Sequence, residues 1–526
     1  MFLVCFRGDG VLDFPIGDSL RIDILGKIWY NMCVHSWSLT FEYTTPMRMP
    51  RRCSVTRNNC SAGCFGWHDH AEGNHTNMKQ TQNFTEGKIF SPLIRFALPV
   101  LFALFLQAMY GAVDLLIVGQ FGGEMADVYV SAVSTGSQIM HTLTIVITGL
   151  AMGLTVYVGG RIGAGEQEEA GAIIGSGITL FAIASVVLAS IMIALSSVMA
   201  DVMHAPQAAF ADTVWYIVIC SAGTIFIVAY NLVGSIFRGI GDSKIPLLTV
   251  AIACVLNILG DLLLVAVFDM GAVGAALATV FAQAMSVVVS LFIIRRRALP
   301  FRFSMKYLRP NGTYIKWILK LGIPIALQDL LVSVSFLVIH SIVNSLGLNE
   351  SAGIGIAEKV CAFIMLLPSS YMQAMSAFVA QNIGAQKPER ARKALFCGIA
   401  SSLAAGVVMG YLTFFHGDLL AGIFAKEASI IAPAAEYLKA YAIDCLFTAF
   451  LFCFIGYFNG CGKTTFVMIQ GIVGGICVRL PLSWIFSRME PVSLFRIGMA
   501  TPLSTIVQII LCGIVFVYFK KQREIV

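Results

Sequence analysis

The chain has 526 residues, 58% of them hydrophobic and 12% charged, with a formal net charge of +6. A soluble protein of this size carries roughly 25% charged residues, so the composition excludes a soluble enzyme or scaffold and points to a polytopic helical membrane protein. The positive balance is no nucleic-acid signature, because the basic residues fall in alternate loops between apolar runs; of the 14 cysteines, most lie in or beside those runs as small hydrophobes with no disulfide pattern.

Residues 1–85 do not fit the rest. They hold Cys60, Cys64, His68 and His70, which by ligand type alone could be written as a zinc site. Acceptor strings for glycosylation, such as Asn74-His75-Thr76, suit only a secreted setting, and this end is expected on the cytoplasmic side. Met78 opens a short polar lead, Lys79 to Lys88, into the first apolar run. The reading start is therefore expected at Met78, with the preceding stretch a misassigned upstream region and no zinc bound.

From there about twelve spans are expected. They start near Ser91, Tyr129, Gly171, Ala211, Ile245, Gly271, Trp317, Ser351, Leu395, Ala432, Thr464 and Leu494. The first span carries Gln107, Tyr110 and Asp114 one helical turn apart, hence on one face. A carboxylate in a span costs roughly 2.5–3.5 kcal/mol on insertion scales, so it persists where an ion, a cavity or a partner offsets the cost. Pro99 removes a backbone donor from the same helix and makes it a candidate for switching between straight and bent forms. Asn231 in the fourth span is a weaker candidate neighbour. The fifth span answers the first with Asn257 and Asp261, again one turn apart, and the sixth adds Thr279. Asp114, Asn257, Asp261 and Thr279 offer oxygen ligands that suit a hard cation such as sodium, and two acids in one site also suit a proton. The bland reading is a hydrogen-bonded network that only locks helices one, five and six together.

Residues 295–316, polar and basic, read as a cytoplasmic linker between an N-lobe at 86–294 and a C-lobe at 317–526. In the second half, Asp329 and Asp444 are read as lying near the starts of their spans, at the membrane edge. Glu358 and Lys359 could pair, or Lys359 could reach toward the interface; His340 reads as a satisfied packing residue. Met372 and Met375 could supply a pliant surface for varied ligands. Gly460-Cys461-Gly462-Lys463-Thr464 resembles a P-loop, but Tyr457 stands where its first glycine belongs, so no nucleotide site is expected.

The halves repeat each other. Ile162-Gly163-Ala164-Gly165 matches Ile383-Gly384-Ala385-Gln386, and Phe237-Arg238-Gly239-Ile240-Gly241 matches Phe458-Asn459-Gly460-Cys461-Gly462, both at an offset of 221 residues. Leu98-Pro99 resembles Ile323-Pro324 at a similar offset. Six spans per half make the halves parallel, related by a pseudo-two-fold axis along the membrane normal, with a cavity between them. The loops holding Arg161, Arg238, Lys244, Arg295 to Arg297, Lys387, Arg390, Arg392 and Lys393 are expected to be cytoplasmic, as are both termini.

Pro99, Gln107, Tyr110, Asp114 and Val118-Gly119 resemble the first helix of bacterial multidrug and toxic compound extrusion (MATE) transporters. Asn257, Asp261 and Thr279 resemble the cation site in that family's amino-terminal lobe, and the turns at Arg238 to Asp242 and Asn459 to Lys463 look like the family's. The resemblance covers Ser91 to Lys520. It implies a V of two six-helix lobes, alternating access, and antiport of mostly cationic amphipathic drugs or metabolites against sodium ions or protons. It further implies a plasma-membrane (inner-membrane) transporter rather than an enzyme, acting as a monomer with no cofactor beyond the coupling ion. Val332 and Thr448 stand where one branch of the family has acids, so coupling is expected to rest on the first lobe alone. The alternative is a flippase of a lipid-linked precursor on a related fold.

Overall fold

The computed structural model describes residues 84–296, 299 and 305–522. The zinc-like set at Cys60 to His70 and the expected start at Met78 lie outside the described residues. Within them every long element is a helix, because in hydrocarbon each backbone donor and acceptor must be satisfied within its own segment. The spans are α1 (Phe90–Phe121), α2 (Gly123–Gly163), α3 (Gln167–Ala194), α4 (Gln207–Ala222 with Thr224–Ile240), α5 (Lys244–Val267) and α6 (Gly271–Arg296). The second half supplies α7 (Gly312–Asn344), α8 (Asn349–Gly384), α9 (Pro388–Phe415), α10 (Ala428–Gly460), α11 (Thr464–Ser487) and α12 (Leu494–Lys521). Eleven of these are long and apolar enough to cross a membrane as single helices, and α4, bent by 52° at Gly223, is the twelfth. The expected starts at Gly271, Thr464 and Leu494 are met, whereas α2 and α9 begin about two turns earlier than the apolar pattern alone suggests.

The turns repeat with the sequence. After α2 and after α8, the backbone closes with the same pair of bonds, Glu166 N–H to Arg161 O at 3.0 Å and Lys387 N–H to Asn382 O at 2.8 Å. Gly165 and Gln386 take φ of 79° and 55° there, and Gly241 and Gly462 take 92° and 71° after α4 and α10. Glycine is the residue that adopts this left-handed geometry without strain, which is why three of the four positions hold it. At the head of α5, the Asp242 carboxylate accepts the Lys244 and Ile245 amides at 2.9 and 3.3 Å. Asn311 caps α7 in the same way through Thr313 N–H. The described end of the linker docks on α3, where Thr179 donates to Leu308 O at 2.6 Å and Gly175 leaves room for the Tyr307 backbone.

The lobes meet through small residues. On α2, Gly149 and Gly153 face Ala326 and Gly322 of α7; a Cβ on Gly153 would lie 2.5 Å from the Gly322 nitrogen. This is close backbone approach through small residues four apart, the packing that holds helices together in lipid. At the basic end, Gly160 and Gly163 of α2 lie against Gln381 and Gly384 of α8, with no room for a Cβ at Gly163 or Gly384. Gln381 then donates to the Gly239 carbonyl of α4 at 2.9 Å, tying the second half to the first. The segment before α1 is clasped as well. Arg390 donates to the carbonyls of Phe84, Glu86 and Gly87 at 2.7–2.9 Å, and Phe84 is buried between Phe96 and Phe378.

Burial follows these contacts: α2 and α8 are buried almost continuously in their basic-end halves and only in part beyond. The lobes are therefore closed at the basic end and part toward the other. The first helix, α1, belongs to both. Its opening turns, Leu93, Phe96, Ala97 and Val100, pack in the second half's core, while Ile117 and Val118 pack in the first half's core. It runs unbroken through Pro99.

Gly384→Val is expected to force the basic end apart, since overpacking at a site without free volume costs about 1–3 kcal/mol. An Ala380→Cys reporter, whose parent residue is buried in this seam, should resist an impermeant maleimide presented at the basic end and become labelled in the Gly384→Val background. Unchanged protection would show that the glycine contact does not hold the ends together.

Candidate cation site

Three helices bring the polar quartet together. Thr279 of α6 donates to Asp114 Oδ2 of α1 at 3.4 Å, and Asn257 Nδ2 of α5 donates to the Thr279 hydroxyl oxygen at 3.3 Å. Asp261, one turn after Asn257, lies beside Asp114, so that the two carboxyls face one another. Asp114, Asn257 and Asp261 are deep in the lobe, at 5%, 2% and 0% exposure, and Thr279 is half-buried beside them. The spacing that puts Asn257 and Asp261 on one face survives because α5 stays α-helical through Asp261 and widens into a π turn only at Leu262–Val267.

The donor count falls short of the acceptor count. Asp114 Oδ1, Asn257 Oδ1 and both Asp261 carboxyl oxygens accept no hydrogen bond from the described residues. Neither acid forms an ion pair among the described residues. Two carboxylates in low dielectric repel, and a buried anion without a partner costs several kcal/mol. An all-oxygen set of this kind fits a hard cation or a shared proton, and it fits no soft metal.

The ring around the pair is not legible as such in the sequence. Tyr216 of α4 faces both acids, and its ring lies against Gly136 of α2, where any side chain would displace it. Tyr110 faces Gln283 of α6 and Tyr230 of α4. Gln107 is half-buried on the same helix and shows no bond to the quartet. Asn231 is engaged away from the quartet. It accepts from Thr148 of α2 at 3.3 Å and donates to Ile227 O at 2.8 Å.

In the second half several residues sit elsewhere than expected. Asp329 and Asp444 are not at span edges. Each lies near the middle of a 33-residue helix, α7 and α10 respectively, and a helix of that length runs about 50 Å, longer than the hydrocarbon is thick. Glu358 pairs with His340 across α7 and α8 at 3.0 Å, which satisfies His340 and leaves Lys359 exposed. Met375 is fully buried, its sulfur against Gly398, so it fills the core; Met372 is half-buried at the edge of the same cluster. Arg479 escapes the sequence reading. It is 5% exposed inside α11 and donates to Ser335 of α7 at 3.2 Å. A guanidinium in a span starting at Thr464 is the signal that could find it.

Comparison with known proteins gives a consistent result. The MatE family model matches twice, over residues 99–263 and 324–485. The chain is similar to the probable multidrug resistance protein YpnP of Bacillus subtilis, at 26% identity over 77% of this chain and 90% of the relative. It is similar to the multidrug export protein MepA of Staphylococcus saprophyticus, at 25% identity over 75% of this chain and 88% of the relative. Among solved structures, an outward-facing conformation of a multidrug resistance MATE family transporter superposes with a TM-score of 0.78 at 20% identity, covering 85% of this chain and all of that one.

Thr279→Val should strand the Asn257 amide and Asp114 Oδ2 at once. Leaving buried polar groups unsatisfied costs about 1–3 kcal/mol, so the thermal midpoint of the purified protein should fall, while Thr279→Ser stays close to the parent. Equal behaviour of the two variants would show that the hydroxyl bridge contributes nothing to the fold.

Proposed function

Because the chain belongs to the MATE family of multidrug efflux transporters, we propose that it is an antiporter that exports small, mostly cationic amphipathic molecules in exchange for sodium ions or protons. The observation that carries this reading is the pair Asp114 and Asp261, buried, facing one another, and matched by no fixed cation among the described residues. Such a pair demands a positive charge that can enter and leave, and that is what an exchanger of cations needs.

The Lys and Arg bias supports an orientation with the basic end and both termini in the cytoplasm, and export of this kind would take place in the plasma membrane. On this orientation the lobes are closed toward the cytoplasm and parted toward the outside. In this state a sodium ion or proton from outside loads onto Asp114 and Asp261, with Asn257 and Thr279 supplying neutral oxygens. Loading neutralises the repulsion, and its energy depends on how close the three helices α1, α5 and α6 stand. Because α1 packs on one lobe at its start and on the other at its end, a change at Asp114 is transmitted to the seam between lobes, with Pro99 as the position where α1 can yield. Opening to the cytoplasm requires the α2–α8 glycine contact to part. Tyr110, half-buried one turn from Asp114, offers an aromatic face to an organic cation near the acids. The four site residues come from one chain, which supports a monomeric transporter. A lipid-precursor flippase would need cations facing the acids' side of the cavity for pyrophosphate, and this site holds the opposite charge.

The test is efflux of ethidium from vesicles under a sodium gradient or a proton gradient imposed separately. Asp114→Asn should insert normally and lose gradient-driven efflux, and Asp261→Asn should do much the same. The gradient that drives the parent names the coupling ion. Full efflux by Asp114→Asn would remove that residue from the mechanism.

A further inference from the structure

The second lobe carries a copy of the cation site with its charge reversed. Asn257, Asp261 and Thr279 have Arg479, Ser483 and Thr501 as counterparts, each 222 residues later, and Ser335 stands on α7 one helical turn before Ile339, the position that the Pro99–Pro324 register gives to Asp114. They sit on the equivalent helices, α7, α11 and α12 in place of α1, α5 and α6. Where Asn257 and Asp114 are bridged by Thr279, Arg479 Nη1 donates directly to the Ser335 hydroxyl at 3.2 Å. Tyr216, which faces the acids of the first lobe, has Tyr437 as its counterpart 221 residues on, and Tyr437 faces Arg479. Ser335, Ser483 and Thr501 are as deeply buried as Asp114, Asn257 and Asp261.

Arg479 is compensated from within the lobe. Its guanidinium lies 4.4 Å over the face of Phe336. Asp444 of α10 acts on it through space, with Thr505 of α12 also near the carboxyl. Tyr437 and Tyr441 complete the groups that face it. The position of Asp444 corresponds to Gly223, the bend of α4, so the first lobe has no acid there and the second lobe has one only where it has the arginine. An anion ligand is disfavoured by Asp444, and an added cation is disfavoured by Arg479.

We infer that Arg479 is a built-in cation standing in the second lobe's copy of the cation site, so that this lobe carries no exchangeable ion and the first lobe alone sets how many ions move per cycle. The inference rests on the reading of the first-lobe quartet as a cation site. Removing the guanidinium would take the through-space cation from the buried Asp444 carboxyl and free the Ser335 hydroxyl that now accepts from Arg479.

The experiment reads stoichiometry. Purified protein in vesicles is given a series of gradients of the driving ion at clamped voltage, and the steady ethidium ratio is plotted against the ion ratio on logarithmic axes. Arg479→Asn is expected to steepen the slope by one ion per cycle, and Arg479→Lys to leave slope and rate near the parent. Asp114→Asn with Asp261→Asn should abolish the response, and adding Arg479→Asn to that pair should restore part of it. An Arg479→Asn variant that transports with the parent's slope overturns the inference while leaving the first-lobe site intact. So does an inserted Arg479→Lys variant that loses coupling, because a role resting on the fork geometry of arginine would then be shown. Coupling that survives in the Asp114→Asn, Asp261→Asn pair would instead defeat the first-lobe reading, and this inference with it.

Discussion

Two carboxyls buried together without a fixed counter-charge are the constraint on which this structure turns. Hydrocarbon and helix backbone tolerate Asp114 and Asp261 only with a compensating positive charge, and the described residues supply none beside them. Thr279 and Asn257 shape the place but bring no charge. The stability of the first lobe is thereby tied to an ion that comes from solution, which makes the arrangement of α1, α5 and α6 dependent on the side from which ions arrive. The second lobe meets the same problem the other way: Arg479 and Asp444 act on one another through space, so a buried acid there faces a fixed cation of the chain's own. The two halves share a fold and differ in which of them is left needing a partner.

The seam between the lobes is built for parting. Among the described residues nothing charged holds α2 to α7 or to α8. Gly149, Gly153, Gly160, Gly163, Gly322 and Gly384 bring backbones close, so cohesion comes from many weak contacts. Contacts of this type have no desolvation barrier to re-forming, in contrast to buried ion pairs. The few directional ties, from Gln381 to Gly239 and from Arg390 to the carbonyls ahead of α1, cluster at the basic end. They fix which end is closed without cementing the length of the interface. The first helix crosses from one lobe's core to the other's, and so it is the element through which the state of Asp114 is felt at that seam.

Much of this is legible in the sequence, for identifiable reasons. A carboxylate inside an apolar run is conspicuous, so Asp114 and Asp261 can each be named from the sequence, while their sharing one site is what the family resemblance implies. The repeat is visible because left-handed turns after α4 and α10 both require glycine, and Gly241 and Gly462 preserve the offset. What cannot be read are residues whose meaning depends on a distant helix. Tyr216 looks like any aromatic in a span until α4 bends and lays it beside the acids. Asp329 and Asp444 read as membrane-edge residues because α7 and α10 extend well past the apolar stretch that marks them. Met375 has the composition of a pliant surface and the position of a core residue. Arg479 goes unseen because basic residues carry their clearest signal in the loops, where they set orientation, and a single guanidinium within a span does not alter that pattern.

The central claim is that the first-lobe acids hold an exchangeable positive charge that substrate and ion compete to supply. It is tested most directly by adding ethidium to the purified protein in weakly buffered solution, with and without radiolabelled sodium, and recording protons released and sodium displaced. The account predicts that one of the two leaves as ethidium binds, and that neither leaves when Asp114 and Asp261 are both replaced by asparagine. Ethidium binding with unchanged affinity while neither proton nor sodium departs from the parent protein would contradict it.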